Sequence, residues 1–279
     1  MKKSVISFLV FISSVYISAQ QIVVTPDGKR VALFENNTWA YSDSLLLTFK
    51  PSIITDLEIP SKLQDEEIIK HKGFTLSYNE KHEQANWVAY ILTEEDTKPI
   101  VKRPNKFIPD PFVSTGSATN ADYKNSGYDR GHLAPAADMA WSKETMKESF
   151  YYSNMSPQEP SFNRGIWKSL EGLVRKWAIE NKTLFIVTGP ILKEGLKTIG
   201  PNNVSVPNYY YKAILDYTEP DIKAIGFILP NKQSGERIFN YAVTIDSLEV
   251  FSGIDFFPNL PDDQEYIIEC TIDIQKWSW

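Results

Sequence analysis

The sequence predicts an α+β fold: a mainly antiparallel sheet flanked by helices, with a small N-terminal β-hairpin unit ahead of it. Three observations carry this. Short segments rich in aromatic and β-branched residues recur between Phe74 and Pro230, bounded by turn residues, which is the pattern of strands. Among them, Trp167, Leu170, Val174 and Trp177 recur at steps of three and four, giving one helix an apolar stripe. Ahead of both, residues 22–42 alternate around Pro26-Asp27-Gly28, where proline fixes φ and glycine takes the strained turn position.

Composition sets the bounds. The chain has 279 residues, 42% of them hydrophobic, which is ample for one large core. Its 7 Trp, 14 Tyr and 15 Phe exclude a disordered polymer. A single cysteine, Cys270, excludes an intrachain disulfide and any cysteine-rich zinc site. The net charge of −6 argues against nucleic-acid binding over the whole surface, but it leaves room for a local basic cleft.

Residues 1–19 are expected to be a signal peptide. Lys2 and Lys3 precede the apolar run Val5 to Ile17 and the small-residue site Ser18-Ala19-Gln20. The run is short for a span of about 20 apolar residues, so a mature protein with no membrane span, exported to the periplasm or the outside, is expected. Residues 20–49 then form the small β unit, read as an accessory module or a surface-binding one. Its strands are Ile22–Val24, Val31–Phe34 and Thr38–Tyr41, with Asn36-Asn37 turning between the last two. Residues 50–69, with Pro51, Pro60 and scattered charge, read as a linker, and residues 70–279 as the main domain.

In the main domain, Phe74–Tyr78 and Asn86–Leu92 are strand-like. His71 and His82 lie in polar surroundings without metal-ligand spacing and are expected to be solvated. The stretch Lys98 to Lys106 is the densest in basic charge and is kept extended by Pro99 and Pro104. By itself it reads as a solvated loop; its place just before Asp129-Arg130-Gly131-His132 favours contact with phosphate. Ser114 to Gly127 reads as a long loop. Ser142 is expected to cap a short helix, and Asn154-Met155-Ser156-Pro157-Gln158 to form a polar turn. Asn163 is expected to open the clearest helix, with Asn163, Trp167 and Glu171 on one face. Thr183–Pro190, Tyr209–Leu215 and Lys223–Pro230 read as strands of one sheet, and Ser247–Ser252 as a second helix. Cys270 falls in Tyr266–Ile272, read as an alternating strand that buries it.

The cluster Asp129 to His132 has the parts of a phosphate site. Hydrolysing a phosphodiester requires a base for the attacking water, and charge to meet both the phosphate and the leaving oxygen. A neutral His132 can be the base. A divalent cation can meet the other needs, held through one oxygen such as that of Asn163, with Glu171 holding its water. Arg103 and Arg130 can pair with phosphate oxygens through their forked donors.

Asp129-Arg130-Gly131-His132, then Asn154 to Gln158, then Asn163-Arg164-Gly165-Ile166-Trp167 with Leu170-Glu171, resemble the DNA/RNA non-specific endonuclease family, the ββα-metal or His-Me finger nucleases. Arg103 with Phe107 and Asp110, Gly189-Pro190, and Gly253 to Pro258 resemble further landmarks of that family. The resemblance runs over roughly residues 70–265 and omits the hairpin unit. It implies a ββα-metal motif embedded in the sheet and a non-specific endonuclease domain acting on DNA and/or RNA; the cation expected is Mg²⁺, with Mn²⁺ as the alternative. It further implies that His132 is the general base and Asn163 the metal ligand. Glu171 would hold the metal's water, Arg103 would stabilise the transition state, Arg130 would support the substrate, and Asn154 would order the site. The rival readings are a nucleic-acid binder of the same fold without turnover, a carboxylate glycosidase built on Asp255, Asp262 or Glu265, and Cys270 as a nucleophile.

Overall fold

A computed structural model describes residues 19–24, 30–34, 39–41, 54–62, 67–104, 106–219 and 221–279. All but Ala19 of the expected signal peptide, residues 1–19, lies outside the described residues, together with the turns at Pro26–Gly28 and Asn36-Asn37. The chain divides into two compact units, residues 1–45 and 46–279. In the first, β1 (Ala19–Val24), β2 (Arg30–Phe34) and β3 (Trp39–Tyr41) form an antiparallel three-stranded sheet. No helix among the described residues is long and apolar enough to cross a membrane.

The second unit is built on a seven-stranded sheet. In chain order its first strands are β4 (Glu67–Lys70), β5 (Thr75–Asn79) and β6 (Gln84–Thr93). There follow the short helix α1 (Asn120–Tyr123), β7 (Asp129–His132), α2 (Lys143–Glu148), β8 (Met155–Gln158) and the long helix α3 (Lys168–Asn181). β9 (Thr183–Pro190), the small hairpin β10 (Thr198–Ile199) and β11 (Val204–Ser205), and then β12 (Tyr209–Asp216) and β13 (Lys223–Pro230) come next. The chain closes with β14 (Ala242–Val243), α4 (Ile245–Ser252) and α5 (Asp262–Cys270). The sheet order is β14-β13-β12-β9-β6-β5-β4, and every neighbouring pair is antiparallel.

Strand alternation divides the core into two layers. Val88, Tyr90, Ile186, Ile214 and Ile225 point to one face, where Leu170, Val174 and Trp177 of α3 cover them. Trp87, Ala89, Val187, Ala213 and Leu215 point to the other, against Leu248 of α4 and Ile268 of α5. Because both faces of β9 and β12 are covered, these strands read as nearly continuous apolar runs.

Several local expectations are corrected. The stretch 50–69 is not only linker: Leu57 is buried, Ile54 and Ile59 pack with it, and Glu67–Lys70 is an edge strand. Pro60 marks a chain without ladder bonds, not a chain without packing. His71 and His82 are buried rather than solvated. His71 Nε2 lies 2.9 Å from Asp110 Oδ2, and His82 Nδ1 lies 2.8 Å from the Ser205 hydroxyl. Residues 114–127 contain α1, whose start is fixed by a reciprocal capping box between Thr119 and Asp122. Cys270 ends a helix, because buried Gln264, Ile267 and Ile268 recur at helical spacing after Pro261. Ser142 does cap α2, accepting from Thr145 N, and the helix expected near 247–252 is α4.

Candidate active site

Asp129–His132 and Met155–Gln158, the second expected as a turn, form a two-stranded antiparallel ribbon with Gly131 opposite Ser156 and His132 opposite Met155. The second strand is polar yet buried, because its side chains find distant partners. Ser156 Oγ donates to Gln84 Oε1 at 2.5 Å and lies 2.6 Å from the Tyr210 hydroxyl. Gly131 is required by close approach: a Cβ there would lie 2.2 Å from the Gln158 side chain.

The ribbon runs into the helix that completes a ββα unit. Asn163 does not open that helix. Pro160–Phe162 already turns, and Asn163–Trp167 is a π turn with non-helical Gly165 before α3 begins. In a regular α-helix, residues eight apart are offset by about 80° around the axis. The wider turn winds less per residue, and Asn163 and Glu171 line the same cleft.

That cleft, of about 600 Å³, gathers Arg103, Phe107, Asp129, Arg130, His132, Asn163, Arg164, Lys168, Glu171 and Arg175. Five of the six residues expected in the site therefore meet there. Asn154 does not. It is fully buried behind the ribbon, where its Oδ1 accepts from Ala134 N at 2.9 Å and its Nδ2 donates to Ala134 O and Ser149 O. These bonds hold the chain that leaves His132.

His132 is only 8% exposed, with its ring edge-on to Phe150 at 4.9 Å and beside Phe107 at 5.9 Å. Burial, assisted by the Arg103 guanidinium, lowers its pKa to about 3, so the ring is neutral at physiological pH. Its Nε2 is buried without a hydrogen-bond partner among the described residues. Arg103 lies over the Phe150 ring at 5.2 Å. Arg130 lies over Phe107 at 5.2 Å, and its Nε donates to the Tyr152 hydroxyl at 3.2 Å. Aromatic faces thus hold both guanidiniums at the cleft.

Asp129 organises the opposite wall. It accepts from Arg164 Nε at 2.8 Å and Nη2 at 2.6 Å, and from Asn163 Nδ2 at 2.9 Å. Burial raises its carboxyl, but these bonds outweigh burial and hold it below the usual range. With its amide nitrogen engaged, Asn163 keeps Oδ1 as its remaining ligand atom. An amide oxygen and the nearby Glu171 carboxylate form an oxygen donor set that suits a hard divalent cation. The unpartnered His132 nitrogen in the same cleft leaves room for the chemistry such an ion supports.

Beneath Glu171 lies a charged layer that sequence reading missed. Arg175 Nη1 donates to buried Asp138 Oδ1 at 2.7 Å, and the Tyr90 hydroxyl donates to Oδ2 at 2.9 Å. Lys212, fully buried on β12, sits over the Trp167 ring at 5.0 Å. Burial pushes Glu171 up and Lys212 down. Arg175, four residues after Glu171, was accessible from helical spacing. Lys212 carried no such signal, since its strand is covered on both faces.

The buried imidazole has a consequence for stability. Its folded pKa, about 3, lies below the ordinary 6.5, so the unfolded chain binds more protons between those values. Stability is therefore lost as pH falls from 6.5 toward 3. Denaturant unfolding of His132→Ala is expected to give a shallower acid slope than the wild type. Equal slopes would contradict a buried neutral His132.

The family model for DNA/RNA non-specific endonuclease matches residues 56–263. The chain is 35% identical over 225 residues to mouse mitochondrial nuclease EXOG, covering 74% of this chain and 61% of that protein. It is 35% identical over 211 residues to nuclease C1 of Cunninghamella echinulata var. echinulata, covering 70% of this chain and 84% of that one. The match therefore spans about three-fifths of the mouse relative and most of the fungal one. A crystal structure of an EndoG/EndoGI complex aligns with a TM-score of 0.69 at 30% identity, over 77% of this chain and 95% of the other.

Proposed function

Because the chain belongs to the DNA/RNA non-specific endonuclease family, we propose that it hydrolyses phosphodiester bonds of DNA and RNA without strong sequence preference. The observation that carries this reading is a buried, neutral His132 in one cleft with Asn163, Glu171 and two aromatic-held arginines. His132 takes the proton of the attacking water. Arg103 and Arg130 pair with phosphate oxygens through their forked donors. Asn163 would hold a divalent cation, Mg²⁺ or Mn²⁺, and Glu171 would orient water beside it. When bound, the cation supplies charge for the phosphate and the leaving oxygen. Asp129 fixes Asn163 and Arg164, and Asn154 fixes the chain after His132. Contacts of this kind reach phosphate and not base edges, and so carry no direct sequence information.

Export to the periplasm or the outside is part of the same proposal, supported by Lys2-Lys3, the apolar run to Ile17 and Ser18-Ala19-Gln20. The mouse relative is named as mitochondrial, so the two chains would share a domain and not a compartment. The purified chain is expected to nick supercoiled plasmid and cut folded RNA in Mg²⁺, with both activities stopped by excess EDTA. Undiminished cutting in EDTA would exclude the cation mechanism, and no cutting of either polymer in Mg²⁺ or Mn²⁺ would favour a binder without turnover.

A further inference from the structure

On the face of the sheet away from α3, the helices α4 and α5 bring Asp246, Glu249 and Glu269 together, with one ligand oxygen from each within 4.8 Å of the others. Asp246 and Glu249 are three apart on α4 and share a face, while Glu269 comes from the last turn of α5. We propose that these three carboxylates form a calcium site that clamps α4 to α5, separate from the catalytic cleft.

An independent observation points to a ligand. Glu269 is only 5% exposed, and its Oε1 has no hydrogen-bond partner among the described residues. A buried carboxylate left unpartnered is costly. The charged groups acting on it are all acids: Glu249, Glu265, Asp246 and Asp255. It also sits at a helix C-terminus, where the backbone already carries partial negative charge.

The donor set selects the ion. All three ligands are hard oxygens, and Ca²⁺ takes six to eight of them at about 2.3–2.6 Å, so that oxygens on opposite sides of the ion stand roughly 4.6–5.2 Å apart. The three oxygens lie within 4.8 Å of one another, close enough for one such ion to reach all of them. Glu249 Oε1 accepts from Phe256 N at 2.8 Å, which orients the carboxylate and leaves its other oxygen for the ion. Asp246 is exposed, so water can complete the shell from outside.

The test uses the full chain carrying Asn163→Ala, which removes the cleft's proposed metal ligand and leaves the second site intact. Calorimetric titration with CaCl₂ is expected to show one bound ion per chain. The thermal midpoint should rise by roughly 5–10 °C at calcium a hundredfold above Kd. Adding Glu249→Gln and Glu269→Gln should abolish both effects, while the calcium-free midpoint stays at or above that of the parent, reporting an intact fold. Asp246→Asn, at an exposed position, should weaken binding about tenfold. No calcium uptake by the Asn163→Ala chain, or uptake unchanged by the two Gln substitutions, would overturn the proposal. Because the readout is binding, it is decided independently of nuclease activity.

Discussion

His132→Ala is expected to slow plasmid cleavage by about 10²–10⁴-fold, the usual range for losing a positioned general base. Affinity for DNA, read by fluorescence anisotropy, should stay close to wild type. The reason is in the placement of the ring. It is buried against Phe107 and Phe150, while Arg103 and Arg130 stand at the cleft to meet phosphate. A side chain that acts on water contributes to the rate and little to ground-state binding. Burial first, and the Arg103 guanidinium second, keep the ring neutral. Wild-type turnover in the Ala variant would remove His132 from the mechanism, whereas loss of binding in step with rate would recast it as a structural residue.

Asn163→Ala is expected to cost about 10²–10³-fold in rate, corresponding to several kcal/mol of charge stabilisation at about 1.4 kcal/mol per tenfold. Raising Mg²⁺ should recover part of the loss, since Glu171 and the substrate still offer oxygens. The substitution also removes one of the two bonds to Asp129 Oδ2, but Arg164 keeps its bonds to both oxygens and holds the wall in place. A variant as active as wild type at low Mg²⁺, measured as initial nicking rate against free cation, would show that the ion is held elsewhere.

The large strands and α3 were legible because their signals are local: β-branched and aromatic runs, and a stripe at helical steps. What escaped depends on partners far along the chain. Met155–Gln158 looks like a turn because it is polar, yet it is a buried strand whose Ser156 is satisfied by Gln84 and Tyr210. His71 and His82 look solvated until Asp110 and Ser205 arrive beside them. Leu57 looks like linker until it meets the sheet's second face. The cleft was more legible than its surroundings, since most of its chemistry-bearing residues lie on one ribbon and one helix close in sequence. Arg103 comes from an upstream loop and was marked by the dense basic stretch Lys98 to Lys106 as well as by the resemblance. Lys212 and Asp138, which set the charge beneath Glu171, come from other parts of the chain and carry no motif.

Ribbon and helix bring His132 and Asn163 into one cleft, as the two halves of the proposed site. A double-mutant cycle measures this directly, using single-turnover cleavage of supercoiled plasmid by the wild type, His132→Ala, Asn163→Ala and the double variant in Mg²⁺. Groups that act as a unit give non-additive losses, so the double variant is expected to be little slower than the slower single variant. Losses that multiply in full would mean that the two residues act independently, and would contradict a single shared site.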